Sequence, residues 1–391
     1  MIIICEPYCI DYEHVDVNSA LINTINIAYP ASRILFLGDA AHISGVEKLI
    51  KYHAPNITIE YLPINIFSRN LSSIKRLPKD YALFKNIFEL SVYRKAQMII
   101  FSSILSTGLV AIKRLNSTYK KRPIVIVPHS PLELINRRPS FRPTEILFWF
   151  RFHFLSLNSS NITYMLLGRS IEDELRQLFP KMKNRTMSID MPYYFYESQD
   201  YVPWFDNIVR FGSFGAGHRN KGTDLFIDLA RATKEIVVDN KSEFVLIGFL
   251  KDNSLKEMNL QYVTIPSSDA PLNRSDYDDY ANKIDYAVYL YNENSYKLTA
   301  SAAFFDAVSY LKPIITLRNP FFEYYFNKIG DIGYICESVD EIANLVKYLI
   351  ENKPKDKYLE QVQNLLDGRS LINIDSAAKK IRDTMNQDVY C

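Results

Sequence analysis

The chain predicts an α/β protein of two Rossmann-like, doubly wound domains facing a cleft, and three observations carry that expectation. Its 391 residues are too many for one domain of roughly 100–200. Short apolar, β-branched runs alternate with longer amphipathic stretches from end to end, the pattern of parallel strands joined by crossover helices. The runs also fall into two series. They are parted by Met191-Pro-Tyr-Tyr-Phe-Tyr-Glu-Ser-Gln-Asp-Tyr-Val-Pro-Trp204, which has a proline near each end and neither a helical nor an alternating period.

In the first series the spacing predicts strands at Ile2 to Cys5, Ile34 to Leu37, Ile57 to Leu62, Met98 to Phe101, Ile124 to Val127, Thr163 to Leu167 and Thr186 to Ile189. Helical patterns such as Val17 to Ala28 and Val46 to His53 lie between them. In the second series, strands are predicted at Ile208 to Phe211, Phe244 to Ile247, Tyr262 to Ile265, Tyr286 to Leu290, Ile314 to Leu317 and Gly333 to Ile335. The expected organisation is a domain at 1–190, a hinge at 191–206 and a second domain at 207–370. A helix at 371–391 comes last, and periodicity leaves open whether it packs on its own domain or crosses back to the first.

Composition narrows the function classes. The chain is 48% hydrophobic and 23% charged, an ordinary globular balance. A net charge of +2 gives no basic footprint for nucleic acid, so an anionic partner must be met by a local patch. With 27 Tyr and 23 Phe against 12 Gly, aromatic residues exceed the needs of a core and point to surfaces that touch something apolar or a sugar. Four cysteines form no CxxC pair or disulfide framework, so neither a metal nor an oxidising compartment is expected, and a reducing cytoplasm is simpler. Met1-Ile-Ile-Ile-Cys5 has no basic flank and reads as a buried strand, not a leader; no run of 18 apolar residues spans a membrane.

The most informative segment is Val209-Arg-Phe-Gly-Ser-Phe-Gly-Ala-Gly-His-Arg-Asn-Lys-Gly-Thr-Asp224, where a strand runs through a glycine loop into a helix. Four of the 12 glycines (Gly212, Gly215, Gly217, Gly222) fall within it. Glycines let the backbone approach a ligand, a helix N-terminus favours an anion, and Arg219 and Lys221 add positive charge. A diphosphate site including Gly212, Ser213 and Gly215 is expected, against the alternative of a plain glycine turn with idle surface cations.

This segment, together with Leu298-Thr-Ala-Ser-Ala-Ala-Phe-Phe-Asp306-Ala-Val-Ser-Tyr-Leu-Lys312-Pro313, resembles the donor domain of GT-B glycosyltransferases of the bacterial surface-polysaccharide group. The resemblance implies that Lys221 contacts the diphosphate of a nucleotide sugar, with Arg219 as a displaced partner. It also implies that the helix start at Ser301 and Ala302 holds the distal phosphate and that Asp306 hydrogen-bonds the ribose. The base is expected near Gly248 and Ile265. Many retaining members carry a glutamate eight positions before that acid; here the position is Leu298, and Glu293 is the substitute. No Asp-x-Asp pair stands at a strand end, since Asp276-Tyr-Asp278-Asp279 reads as the acidic first turn of a helix capped by Asn273. A metal-independent reaction follows, with the leaving group stabilised by Lys221, Arg219 and helix dipoles.

For the first domain, His129 stands just past the strand in Lys121-Arg-Pro-Ile-Val-Ile-Val-Pro-His129, where open α/β sheets expose their crevice, and is the candidate to orient or deprotonate an acceptor hydroxyl. The polar loop from Cys5 to Asn18 is expected to meet the acceptor rather than the donor. The stretch Arg137 to Leu155, aromatic with interspersed arginines, either lies at a membrane surface or is buried; Lys113, Arg114, Lys120, Lys121 and Arg122 would help recruit a bilayer.

The expected function is transfer of a sugar from a nucleotide-diphosphate donor to a saccharide acceptor, one carried on undecaprenyl diphosphate, in O-antigen or capsule assembly. The expected place is the cytoplasm, as a peripheral protein on the inner face of the inner membrane. The alternatives are a non-catalytic nucleotide-sugar-binding scaffold subunit and a GT-B-like epimerase or phosphorylase.

Overall fold

A computed structural model describes residues 1–67, 70–119, 122–136, 138–139, 142–156, 160–195, 208–267, 269–291 and 296–387. The chain divides into two compact units. Unit 1 comprises Met1–Tyr194, Leu298–Ala300 and the segment from Ile372 onward; unit 2 comprises Phe195–Lys297 and Ser301–Leu371.

Unit 1 holds a parallel sheet of seven strands: β1 Ile2–Cys5, β2 Ile34–Gly38, β3 Ile59–Pro63, β4 Met98–Phe101, β5 Ile124–Ile126, β6 Ile162–Leu166 and β7 Thr186–Ser188, in the order β3-β2-β1-β4-β5-β6-β7. Pairing registers Ile2 with Ile34 on one side and with Met98 on the other. The central runs are apolar at every position because helices cover both faces; Ile2, Ile3, Ile4 and Cys5 are all fully buried. The helix Ile374–Gln387 packs on Val15–Ala28, and Arg382 donates to the Ile27 carbonyl at 2.7 Å. Arginine at a helix C-terminus satisfies an orphan carbonyl and complements the dipole.

Unit 2 carries a parallel sheet of five strands: β8 Val209–Phe214, β9 Ser242–Ile247, β10 Tyr286–Tyr289, β11 Ile314–Leu317 and β12 Gly333–Cys336, ordered β12-β11-β10-β8-β9. The run Tyr262 to Ile265 does not form a sixth strand. It makes a single bridge between Val245 and Thr264, after the short helix Asn253–Lys256 and the turns that follow it. Among the described residues no helix is long and apolar enough to cross a membrane.

One buried lysine tests the packing of unit 2. Lys312 is fully buried, and its Nζ donates to the carbonyl of Asn282 at 2.8 Å, tying down the end of the helix Arg274–Lys283. Burial pushes its pKa down to about 7, against the pull of the Asp285 carboxylate. The unfolded lysine titrates at about 10.4, so between these values the unfolded chain binds more protons and stability rises with pH, by up to about 1.4 kcal/mol per unit. Urea midpoints measured from pH 7 to 9 should climb more steeply for the natural chain than for Lys312→Met; parallel slopes would refute the assignment.

Candidate functional site

In unit 2 the chain leaves β8 toward β9 on one side, while β10 lies on the other, so a crevice opens at the carboxyl ends of β8 and β10. The glycine loop leaves β8 there, and the helix Ala302–Ser309 follows β10.

The loop is not a nest of open amides. Gly215 and Gly217 donate to the carbonyls of Ile247 and Phe249 at 2.9 and 2.8 Å, extending the ladder beyond β9. The amides of Lys221 and Gly222 bond within the short 3-10 turn Arg219–Lys221, and the His218 amide donates to Thr223 Oγ1 at 2.9 Å. Here the glycines permit close approach of protein to protein. A Cβ on Gly248 would sit 2.2 Å from the Gly215 carbonyl oxygen. Gly212 lies inside β8 beneath Ile284, where a Cβ would meet that side chain at 2.7 Å, so its place is in packing rather than against a ligand. Ser213 is half-buried in the same strand, and half-buried Ile265 packs against the unit 2 core.

Positive charge is what the loop offers. Lys221 Nζ lies 3.5 Å from the Cβ position of Gly215. Burial pushes its ammonium below the usual lysine range, Asp306 pulls it back, and Lys251 pushes it down again. His218 is likewise lowered by burial and then by Lys251 and Lys221. Lys251 and His218 thus join Lys221, two residues that motif reading missed. His218 was inside the motif, and Lys251 follows directly on the β9 turn that abuts Gly215. Arg219 is engaged elsewhere: its Nε donates to Ser254 Oγ at 2.8 Å and its guanidinium pairs with Asp224 at 3.2 Å on the exposed side.

Asp306 sits in the second turn of Ala302–Ser309, and Tyr277 donates its hydroxyl to Oδ2 at 2.9 Å. Tyr277 comes from Arg274–Lys283, the helix expected from its acidic start, with Asn273 accepting from the Asp276 amide at 3.0 Å. Burial first, and then the Asp306 charge, drives the Tyr277 phenol far above its ordinary range, so it stays a donor. Phe214 stacks on Tyr310 and meets Tyr277 edge-on, giving Asp306 an aromatic surround. Ser301 precedes the helix without capping it; its hydroxyl is 2.7 Å from that of Tyr291, which leaves the first amides, from Ala302 on, without a side-chain cap. Glu293 lies outside the described residues.

Unit 1 places a second polar cluster where β1 and β4 diverge. Glu6, fully buried just past β1, accepts from the amides of Tyr8 and Cys9 at 3.0 Å, from Asn18 Nδ2 at 3.2 Å, from Ser102 Oγ at 3.0 Å and from Ser103. Desolvation opposes its charge, yet these donors, Ser103 foremost, hold its carboxyl below the usual range. The Asp11 carbonyl can only accept, so His42 donates to it from Nδ1 and receives Asn18 Nδ2 on Nε2 at 2.9 Å. His129 stands edge-on to His14, ring centroids 5.5 Å apart. Burial pushes His129 down to about 3, with His14 adding to the shift and Glu6 opposing it. The expectation of a histidine titrating near neutrality is therefore corrected: the ring is held neutral, suited to accept a hydrogen bond and poor as a proton sink.

The stretch expected as one aromatic helix divides at Trp149 into Pro143–Leu147 and Phe150–Leu155; Arg137, Ser140 and Phe141 lie outside the described residues. The expectation of burial holds for part of the stretch. Phe150 and Phe154 are buried, the latter 4.4 Å from Tyr164, while Ile146, Leu147 and Phe152 are 51, 62 and 66% exposed. Lys113 is not a recruiting surface cation: its Nζ donates to the His153 carbonyl and to Ser156 O and Oγ at 2.7 and 2.8 Å, fastening the end of Phe150–Leu155. Of the hinge, Tyr194 is buried in unit 1, stacked 4.0 Å from His53, and residues 196–206 lie outside the described residues.

No family model and no curated protein matches the sequence. The fold, however, is shared with solved structures. Anabaena HepE in complex with UDP and glucose superposes with a TM-score of 0.64 at 14% identity, covering 99% of this chain and 100% of that one. WaaG, a glycosyltransferase involved in lipopolysaccharide biosynthesis, gives 0.64 at 12% identity over 98 and 99% of the chains. Staphylococcus aureus MnaA with UDP gives 0.56 at 13% identity over 100 and 96%. Two parallel α/β units and full-length superposition on these structures show that the chain has the fold they share, the GT-B fold.

Proposed function

We propose that the chain is a glycosyltransferase that moves a sugar from a nucleotide diphosphate to a saccharide acceptor. The observation that carries this reading is the gathering of Lys221, Lys251 and His218 at the glycine loop beside Asp306, where burial and Lys251 lower the Lys221 ammonium against the pull of Asp306, and burial, Lys251 and Lys221 lower His218. Converging like charges raise the free energy of the unliganded loop, and a diphosphate relieves them. Asp306, oriented by Tyr277, takes the ribose hydroxyls, and the uncapped start of Ala302–Ser309 takes the distal phosphate. UDP and UDP-glucose bound to the similar HepE structures support a uridine donor as the first to test. The leaving group is stabilised without a metal at the diphosphate, by Lys221 with Lys251. Arg219 joins only if it leaves Asp224.

Offering UDP- and GDP-sugars with and without saccharide acceptors tests the reading. Consumption that requires an acceptor is expected. Turnover of the nucleotide sugar alone would instead identify an epimerase or phosphorylase, and binding without turnover a scaffold subunit.

The acceptor is proposed to be a saccharide on undecaprenyl diphosphate, used in O-antigen or capsule assembly at the cytoplasmic face of the inner membrane. The exposed Ile146, Leu147 and Phe152, flanked by Arg142 and Arg151, form an apolar and cationic face suited to an anionic bilayer interface. The triple variant Ile146→Ser, Leu147→Ser, Phe152→Ser should weaken co-sedimentation with phosphatidylglycerol vesicles at least about tenfold. Unchanged sedimentation would remove this face from the proposal.

A further inference from the structure

We infer that unit 1 contains a binding site for a zinc-class divalent cation, built from Glu6, Cys9 and His14 on the loop that follows β1. The acceptor atoms of these three residues, a carboxylate oxygen, a thiol sulfur and an imidazole nitrogen, all lie within 4.8 Å of one another. Cys9 Sγ and His14 Nδ1 are 3.5 Å apart. With metal–sulfur and metal–nitrogen bonds of about 2.3 and 2.1 Å, the corresponding edge of a tetrahedral site is about 3.6 Å, so this pair already has the required spacing.

The second observation is the charge of Glu6. Its carboxylate is wholly removed from solvent, and among the described residues no lysine or arginine pairs with it. Its partners are two amides, two hydroxyls and a carboxamide, all neutral donors. A buried anion whose hydrogen-bond donors are all neutral is costly to keep charged, and a cation held by the neighbouring thiolate and imidazole supplies positive charge directly beside it. The Ser103 hydroxyl is a rotor and can turn aside, which lowers the number of donors on Oε1 from three to the two amides of Tyr8 and Cys9. On coordination the Cys9 thiol gives its proton to solvent and binds as thiolate.

The loop holds these donors in place without a metal. Asp11 and His14 both take left-handed backbone conformations, φ 49° and 56°, and His14 is the residue from which the helix Val15–Ala28 starts. The neighbouring Asn18 joins Glu6 to His42, and His42 is tied back to the Asp11 carbonyl, so the carboxylate and the loop are fixed to each other. Sulfur and nitrogen donors select zinc and its neighbours over magnesium or calcium. Three protein ligands leave a fourth position for water. The site shares no residue with the diphosphate candidates of unit 2, so it stands or falls apart from the proposed transfer reaction.

Cobalt(II) is the probe. The purified full-length chain, stripped with a chelator, should take up one Co²⁺ with the intense near-ultraviolet absorption of thiolate-to-cobalt charge transfer and visible bands of tetrahedral strength. Added Zn²⁺ should abolish both. In Cys9→Ser the charge-transfer band should vanish, and in His14→Gln the Co²⁺ affinity should fall at least about tenfold, with far-ultraviolet circular dichroism reporting the fold of each. Absence of a charge-transfer band in the natural chain overturns the site, a result that needs no variant. So does a band that survives in folded Cys9→Ser, because the thiolate would then belong to another cysteine.

Discussion

Lys221→Ala is expected to lower donor turnover about 10²–10³-fold while leaving the fold of unit 2 intact, the scale of losing one group that stabilises developing charge. The lysine sits inside the glycine loop, 3.5 Å from the Cβ position of Gly215, and its charge is opposed by burial and by Lys251. Removing it relieves that opposition, so the unliganded variant should melt no lower than the natural chain. What it should lose is the stabilisation that UDP confers on the natural chain by binding the folded state. Both readouts matter: retained turnover refutes the phosphate role, whereas lost turnover with a collapsed melting temperature would show only a structural lysine.

Gly222→Ala should produce the largest loss of stability of any single methyl addition within the glycine loop from Gly212 to Gly222. Gly222 starts the helix Thr223–Ala232 at φ 67° and ψ 28°, which costs an L-residue about 1–2 kcal/mol. The added Cβ would also stand 2.0 Å from the Leu290 carbonyl oxygen, a contact only backbone movement can relieve. A total above about 3 kcal/mol is expected, read as a lower urea midpoint at unchanged m-value. Gly330→Ala supplies the comparison. At φ 117° and ψ −158° it lies in a region open essentially to glycine alone, yet its nearest neighbour is 3.9 Å away, so its loss reports backbone strain without a clash. Equal losses would show that backbone strain, not the approach to Leu290, dominates.

Much of the architecture was legible because buried parallel strands need apolar residues at every position. Ile2–Cys5, Met98–Phe101 and Ile314–Leu317 appear where the runs of Ile, Val, Leu, Met and Phe lie. Tyr262 to Ile265 is likewise β-branched and apolar yet makes one bridge, to Val245 at the edge of the sheet, which the run of residues does not foretell. The helix Ala40–His53 starts six residues before its predicted Val46, because the signal is a polar cap rather than apolar period: Asp39 accepts from the amides of Ala41 and His42. The aromatic stretch from Pro143 to Leu155 reads as one helix by composition and breaks at Trp149, whose extended backbone (ψ 117°) no periodicity records.

Site residues divide along the same line. The positions of the candidates Lys221, Ser301, Ala302 and Asp306 on their loop and helix were legible because each belongs to a contiguous segment in which strand, loop and helix succeed one another. The glycines were legible as a group, but their work was not, since amides that look open in a one-dimensional loop are taken by carbonyls of β9. Lys251 beside Lys221, Tyr277 on Asp306, and Glu6 with Cys9 and His14 depend on groups brought together from separate elements or by a folded turn.

By itself, then, the sequence determined two parallel α/β units, the loop that leaves β8 and the lysine within it, because local pattern and burial on both faces dictate them. Only the tertiary structure decided which charges lie together at the glycine loop, that Arg219 pairs with Asp224, that His129 is held neutral and that Glu6 is a buried carboxylate held, among the described residues, by neutral hydrogen-bond donors. The physical reason is that charge and desolvation act through space. A pKa or an ion pair is set by which atoms are neighbours in the fold and by how much water is excluded, and neither is a property of position along the chain.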